Sequence, residues 1–525
     1  MTDRRTSLKL IGGGIAASAL LPRAADAAAD LFDCGVASGD PTQDSVIIWT
    51  RIGGMDAGAA VKVDWQFAKD KAMRMPVATG AVETDAARDF TVKIDVTGLR
   101  PGRTYYYRFT HGAVSSRIGR TKTLPAGQRL RLGVAACSNH PAGYFHAYAD
   151  MATHDLDAVL HLGDYIYEYG LGGYASAKAL DMGRLPMPPH KLETLDDYRR
   201  RYQQYRRDTD LQKLHASLPF ICVWDDHEIR NGTYRDGSTD YKGSPDGFAA
   251  MRGVAIQAYH EYLPVRLNRA NRPDRIFRSF SLGALGRLSM LDARHYARTP
   301  IPSRRDLANG VYGAEVLGTE QENWLRAESA AVGDAPWHLI GQQFLVSPFR
   351  TPDLTPLLHP EARVAPAFIA NSKYGPILLP DSWAAYPRAR QTLLDILAGG
   401  RATPVVLTGD IHTALAGDLY DAKGQGFGAE LVCGSITSPG LDDVLPPRRP
   451  GSVAQGFVQR NAEVQYVDGA KRGWRKLDIT QSRIAAQWHF VSTIHHMTFE
   501  KIAGAQFSIA RRDSQKDRSL LRRQR

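Results

Sequence analysis

Along residues 31–123 apolar and polar positions alternate with period two. The segments VASGDPTQDSVIIWTRI, VKVDWQFA and FTVKIDVTGL read as half-buried strands with turn residues between them. LRPGRTYYYRFT adds a Leu-x-Pro-Gly turn followed by a Tyr-rich strand. Together they predict a small all-β sandwich of about 90 residues. Leu124-Pro125-Ala126-Gly127 has the composition of a boundary after it.

Beyond that boundary the pattern changes to short apolar runs separated by helical periodicity. LRLGVAACS, LDAVLHLGDYIY, LPFICVWDDHE, RLSMLDAR, WHLIGQQFLVS, TPVVLTGDIH and GAELVCGSITSPG read as buried strands. Residues 144–154, LDDYRRRYQQYRRDTDLQKLHASL, FAAMRGVAIQAYHEYL, GTEQENWLRAESAA and PRARQTLLDILAGG read as helices. This alternation predicts an α/β layered sandwich around a large central sheet. In open sheets chemistry sits beyond the carboxyl ends of strands, and several of these runs end in chemically capable side chains. The segment 492–511 is a candidate lid helix, and the basic tail 511–525 is expected to be loosely docked.

Composition narrows the class. The chain has 525 residues, 43% hydrophobic and 23% charged, so it is neither disordered nor fibrous. A mean hydropathy of -0.32, with no long apolar run after the N-terminus, excludes a polytopic membrane protein. The net charge of +11 is compatible with anionic substrates. No zinc-finger, RNP or basic-zipper pattern supports a stable nucleic-acid complex. The four cysteines, Cys34, Cys137, Cys222 and Cys433, form no CxxC and no disulfide framework. Cys222 and Cys433 read as core, and Cys34 as free or packed. The first residues carry Arg4-Arg5, a short Gly/Ala-rich apolar stretch and an Ala25-Asp26-Ala27 cleavage site. That is a secretory signal of twin-arginine character. It predicts a periplasmic or secreted protein, exported by the twin-arginine machinery and without a membrane span once processed.

Four apolar runs end in metal-binding chemistry: Cys137-Ser138-Asn139-His140, Gly163-Asp164-Tyr165-Ile166-Tyr167, Asp225-Asp226-His227-Glu228-Ile229-Arg230-Asn231 and Gly409-Asp410-Ile411-His412. Thiolate and phenolate suit a trivalent or transition metal, whereas carboxylate and amide oxygens suit a hard divalent cation. The mixture predicts a mixed-metal centre. Two metals about 3.5–4 Å apart clamp a phosphoryl oxygen and activate a water at neutral pH. Asp164 is the candidate bridging carboxylate.

These motifs resemble the PhoD-type alkaline phosphatases, a family of calcineurin-like metallophosphoesterases related to purple acid phosphatases. The resemblance runs along nearly the whole chain. It includes the signal, VASGDP, LRPGRTYYYRF, the four strand-end motifs, LDARHY (291–296), GTEQENWL (318–325) and WHLIGQQ (337–343). It implies an αββα metallophosphoesterase sandwich over residues 126–510. Before it come a signal peptide over 1–28 and a fibronectin-III-like sandwich over 29–125, and a basic tail follows over 511–525. It implies iron (Fe3+) held by Cys137, Asp164, Tyr167 and His412. It also implies one or two calcium ions held by Asp164, Asp410 and Asn231, with Asp226 as a further ligand and Asp225 behind the ligands. His227 becomes the candidate for protonating the leaving oxygen, with Arg230 and His140 as candidate phosphate contacts.

The expected activity is hydrolysis of small phosphoesters, as a monomer, by in-line attack of a metal-activated hydroxide. A phosphodiesterase or phospholipase D-type enzyme on the same fold is the alternative. A secreted binding module with structural metals is a reading from a different class, and chelation separates it from an enzyme.

Overall fold

In the computed structural model, which describes residues 30–267, 272–512 and 519–524, two sheets face each other. The signal expected over 1–28 lies outside the described residues. The first sheet has ten strands. Their order is Leu521–Arg523, Lys501–Ala510, Arg483–Val491, Arg472–Thr480, Arg129–Ala135, Ala158–His161, Pro219–Cys222, Val36–Gly39, Val46–Arg51 and Thr91–Val96. The four strands from Arg129–Ala135 to Val36–Gly39 run parallel, and antiparallel strands flank them. The second sheet has seven strands. Their order is Arg278–Ser281, Gly286–Met290, Trp337–Gln342, Thr403–Thr408, Gly426–Cys433, Ala414–Tyr420 and Val464–Asp468. Gly286–Met290 through Gly426–Cys433 are parallel.

The continuous apolar runs follow from this burial. Parallel strands covered on both faces have no polar side to show, so Val405, Val406 and Leu407 are all fully buried. Alternate side chains then serve different cores. Leu339, Val405 and Leu407 join the large core shared by the two sheets. Ile340 and Val406 point the other way and pack with Leu325 and Leu393 of the helices Gly318–Ala331 and Pro387–Gly399. The helices Leu195–Arg206 and Pro245–Tyr262 join the core of the first sheet through Tyr198, Tyr202 and Tyr259. The result is the expected layered sandwich. Indoles cross-link the sheets: Trp337 Nε1 donates to the Thr480 carbonyl at 2.5 Å and Trp488 Nε1 to that of Val432 at 3.0 Å.

The N-terminal β-sandwich forms, but one of its sheets belongs to the larger body. Five strands, Pro76–Thr84, Val61–Ala68, Thr104–His111, Val114–Ser115 and Gly119–Lys122, make one sheet. Val63, Phe67, Tyr107 and Phe109 from it pack on Val36, Ile48 and Val92. Those last residues lie on strands of the ten-stranded sheet.

Two expectations for the C-terminal region are corrected. The candidate lid within 492–511 is no helix: Lys501–Ala510 is a strand paired with Arg483–Val491. The tail ends as the edge strand Leu521–Arg523, with Leu520 and Leu521 buried against the core. Besides the two leucines, Asp418 docks it, accepting from Ser519 Oγ at 2.7 Å and from the backbone N–H of Leu520 at 3.1 Å. Among the described residues no helix is long and apolar enough to cross a membrane.

Candidate metal centre

The carboxyl ends of the parallel strands of both sheets converge on one edge of the sandwich. Cys137 follows Arg129–Ala135, Asp164 follows Ala158–His161, Asp225 and Asp226 follow Pro219–Cys222, and Asp410 and His412 follow Thr403–Thr408. At each turn the chain leaves its strand abruptly. Cys137 (φ 62°), Asp164 (54°), Asp410 (59°) and His412 (53°) all take left-handed backbone conformations. Such conformations cost non-glycine residues free energy and persist where the surroundings enforce them. Gly163 allows the closest approach. Its φ is 106°, and a Cβ there would lie 2.4 Å from that of Asp225.

The ligand atoms gather in overlapping sets. Cys137, Asp164 and His412 form one, Asp164, Asp226 and His227 a second, and Asp225, Asp226 and Asp410 a third; within each, the atoms lie within 4.8 Å of one another. Tyr167 completes the first set, its hydroxyl donating to Asp164 Oδ2 at 3.0 Å and lying 3.2 Å from His412 Nε2. Ser438 Oγ donates to the same phenol oxygen at 2.6 Å.

The electrostatics of these sets favour a bound cation. Burial, then the Asp164 charge, pushes the Cys137 thiol and the Tyr167 phenol well above their usual ranges. Asp164 is raised well above the carboxylate range by burial and by Asp226, Glu228 and Asp410. Asp410 is raised to about 7 by burial, with Asp381 and Asp226 adding to it against the opposing charge of Arg294. Several buried acids this close cannot all ionise without compensating positive charge. Asp225 Oδ2 and Asp226 Oδ1 are buried with no hydrogen-bond partner. Orphaned carboxylate oxygens beside a thiol, a phenol and an imidazole fit a metal centre with one soft and one hard half. His412 is prepared for ligation. Burial, then the nearby charges of His227 and Arg472, lowers it to about 3, so the ring is neutral. Nδ1 is bonded to the Pro439 carbonyl at 2.9 Å, which leaves the Nε2 lone pair free.

His227 reaches the same cluster. Its Nδ1 is 2.8 Å from Glu168 Oε2, and Nε2 lies 3.9 Å from Asp226 Oδ1. Burial opposes its charge, but Asp226, Glu168 and Asp164 together hold it well above the usual imidazole range. Asn231 lies at the border of the site, its backbone N–H donating to Glu168 Oε1 at 2.9 Å.

The two candidate phosphate contacts lie elsewhere. Arg230 points inward, Nη2 donating to the Leu192 carbonyl at 2.9 Å and touching Met251 Sδ at 3.0 Å. His140 packs against Phe145 and Tyr205 and lines a separate cleft with Arg184. Sequence adjacency to the motifs misleads for both, because the chain turns sharply after each ligand. All four cysteines are buried and free.

The supporting layer holds residues that pattern reading did not single out. Glu228 accepts backbone N–H groups from Asp164 (3.1 Å), Tyr165 (2.5 Å) and Asp225 (2.7 Å), so one carboxylate clamps two motif loops. Arg294, fully buried, pairs with Asp225, with Asp410 at 2.7 Å and with Asp381 at 2.7 Å. His295 Nε2 bonds the Asp225 carbonyl at 2.7 Å. The signal for Arg294 and His295 was the segment 291–296, which follows a buried strand as the ligand motifs do.

Comparison with known proteins agrees with this geometry. Residues 132–488 match the PhoD-like phosphatase family, and residues 16–125 match the PhoD-like phosphatase N-terminal domain. Alkaline phosphatase D of Bacillus subtilis (strain 168) is 35% identical over 444 residues, spanning 78% of this chain and 70% of that protein. A solved structure described as the structure of PhoD superimposes with a TM-score of 0.79 at 31% identity, covering 94% of this chain and 92% of that one. With both of its parts matched and its fold reproduced, the chain belongs to the PhoD-like phosphatase family.

Proposed function

We propose that this phosphoric ester hydrolase is a metal-dependent alkaline phosphatase that releases inorganic phosphate, exported by the twin-arginine route its N-terminal residues suggest. The observation that carries the proposal is the convergence of Cys137, Asp164, Tyr167 and His412 with Asp225, Asp226 and Asp410 at one strand edge. The name of the Bacillus subtilis relative points the same way. The soft set would hold iron, and the carboxylates with Asn231 would hold calcium. When bound, the metals neutralise charge on the phosphoryl oxygens and acidify the attacking water.

The chain's own groups supply the rest. Asp164 belongs to the set with Cys137 and His412 and to the set with Asp226 and His227, and Asp226 carries the link on to Asp225 and Asp410. Glu168 orients the His227 ring, so a proton at Nε2 faces the carboxylate cluster, where a leaving oxygen needs it. Arg294 holds Asp225 and Asp410 in place without entering the soft set. Ser138 Oγ is turned to the buried Tyr148 and His161, and Ser438 Oγ is committed to the Tyr167 phenol, so the reading is direct in-line attack without a phosphoenzyme.

The test is parallel turnover of p-nitrophenyl phosphate and bis-p-nitrophenyl phosphate at alkaline pH, with calcium and with chelator. The expected result is faster, calcium-dependent cleavage of the monoester, abolished by chelation. Faster diester cleavage would transfer the assignment to a phosphodiesterase at the same centre. Cleavage of neither by metal-loaded protein would overturn both.

A further inference from the structure

Building on that reading, we infer that the cavity opening beside the metal centre is a subsite for an apolar chain. The preferred substrates are then phosphoesters of long-chain alcohols rather than of sugars or glycerol. The cavity has a volume of about 650 Å³ and is lined at one side by Asp410 and His412, which places it in direct continuity with the ligand cluster. That volume is in the range of pockets that enclose a drug-sized ligand.

Its walls are apolar. Val364, Phe368, Leu379 and Ile411 are half-buried at its surface and pack on a separate core that includes Phe349 and Leu441. Val444, also on the cavity, is 64% exposed. A polyol would need hydrogen-bonding partners here, and the polar groups are mostly engaged. Asp381 is paired with Arg294 and Arg298. Arg304 donates to the Leu378 carbonyl at 2.7 Å and lies over the Phe368 ring at 4.9 Å. Exposed apolar side chains seated on a rigid core beside a reactive centre are a specificity device, because burying them requires an apolar occupant. Arg363, exposed on the same cavity, adds a cation suited to an anionic amphiphile.

The experiment measures kcat/KM of the metal-loaded protein on methyl, hexyl and decyl phosphate, and on the matching methyl alkyl diesters, below their micelle concentrations. The expected result is a rise of roughly three- to fourfold for each methylene seated in the cavity. Val444→Asp and Leu379→Asp should each flatten that rise. A slope in either series supports the subsite, and the series that carries it tells monoester from diester substrates. Equal kcat/KM across chain lengths, or the wild-type slope retained in both variants, would overturn the subsite while leaving the phosphatase reading intact. Loss of turnover on every ester, p-nitrophenyl phosphate included, would instead overturn the phosphatase reading.

Discussion

Asp164 carries the heaviest demand of any single residue. It is buried, held at φ 54°, contacts Tyr167 through Oδ2, and belongs to two ligand sets, one with Cys137 and His412 and one with Asp226 and His227. Burial and three neighbouring acids make its charge costly unless a cation is present. Asp164→Asn keeps the shape and removes the charge. The expected outcome is loss of both metals and of nearly all turnover, read as metal content per chain after gel filtration together with p-nitrophenyl phosphate cleavage. A variant that retained both metals and its turnover would show that Asp164 does not bridge them. Most ligand candidates were legible in the sequence because each closes an apolar run in a motif. Arg294 was only marked by the position of 291–296 after a buried strand, and its role emerges once Asp225, Asp381 and Asp410 are brought around it.

At the scale of elements, the strand ends place the ligands, and their abruptness is the controlling feature. Gly163 lets the Asp164 loop pass against the Asp225 loop, where a Cβ would also lie 2.6 Å from the Asp225 backbone nitrogen. Gly163→Ala therefore adds both a steric clash and a strained φ. It should cost about 1–3 kcal/mol for the backbone conformation alone, lower the melting temperature, and weaken metal binding more than substrate binding. Thermal unfolding with and without chelator would check it; an unchanged metal-dependent increment would mean the two loops move independently. GTEQENWLRAESAA is the helix Gly318–Ala331 to the residue, whereas the short helix Ser452–Arg460, more amphipathic, follows a proline-rich loop and was not read. Lys501–Ala510 was misread as part of a lid because its strand pattern is diluted, with only two of its ten side chains buried. The pairing of Val36–Gly39 with Pro219–Cys222 had no local signal, since the partners lie far apart in the chain.

That pairing decides how the whole molecule holds together. The N-terminal strands continue the catalytic sheet, so the junction is a buried interface rather than a linker. Gly39 sits so close to its neighbours that a Cβ would lie 2.4 Å from the Pro264 carbonyl oxygen and 2.7 Å from that of Phe220. Next to it, Asp40 is fully buried and accepts from Arg278 Nη2 at 2.6 Å and Nε at 2.9 Å, and from the Arg266 backbone N–H at 2.7 Å. Arg278 in turn donates to the Cys222 carbonyl at 2.8 Å, on the strand whose end carries Asp225. Asp40→Ala would leave the partly buried Arg278 with only the Ile276 and Cys222 carbonyls as acceptors, a loss of about 3 kcal/mol, the low end for a broken buried pair. Because one sheet spans the junction, that loss should appear in a single urea transition followed by both tryptophan fluorescence and enzyme activity. Asp40→Asn, which keeps one acceptor for Arg278, should lose less. Two separated transitions, with only the earlier one shifted by Asp40→Ala, would mean that the N-terminal sandwich unfolds on its own despite sharing the sheet.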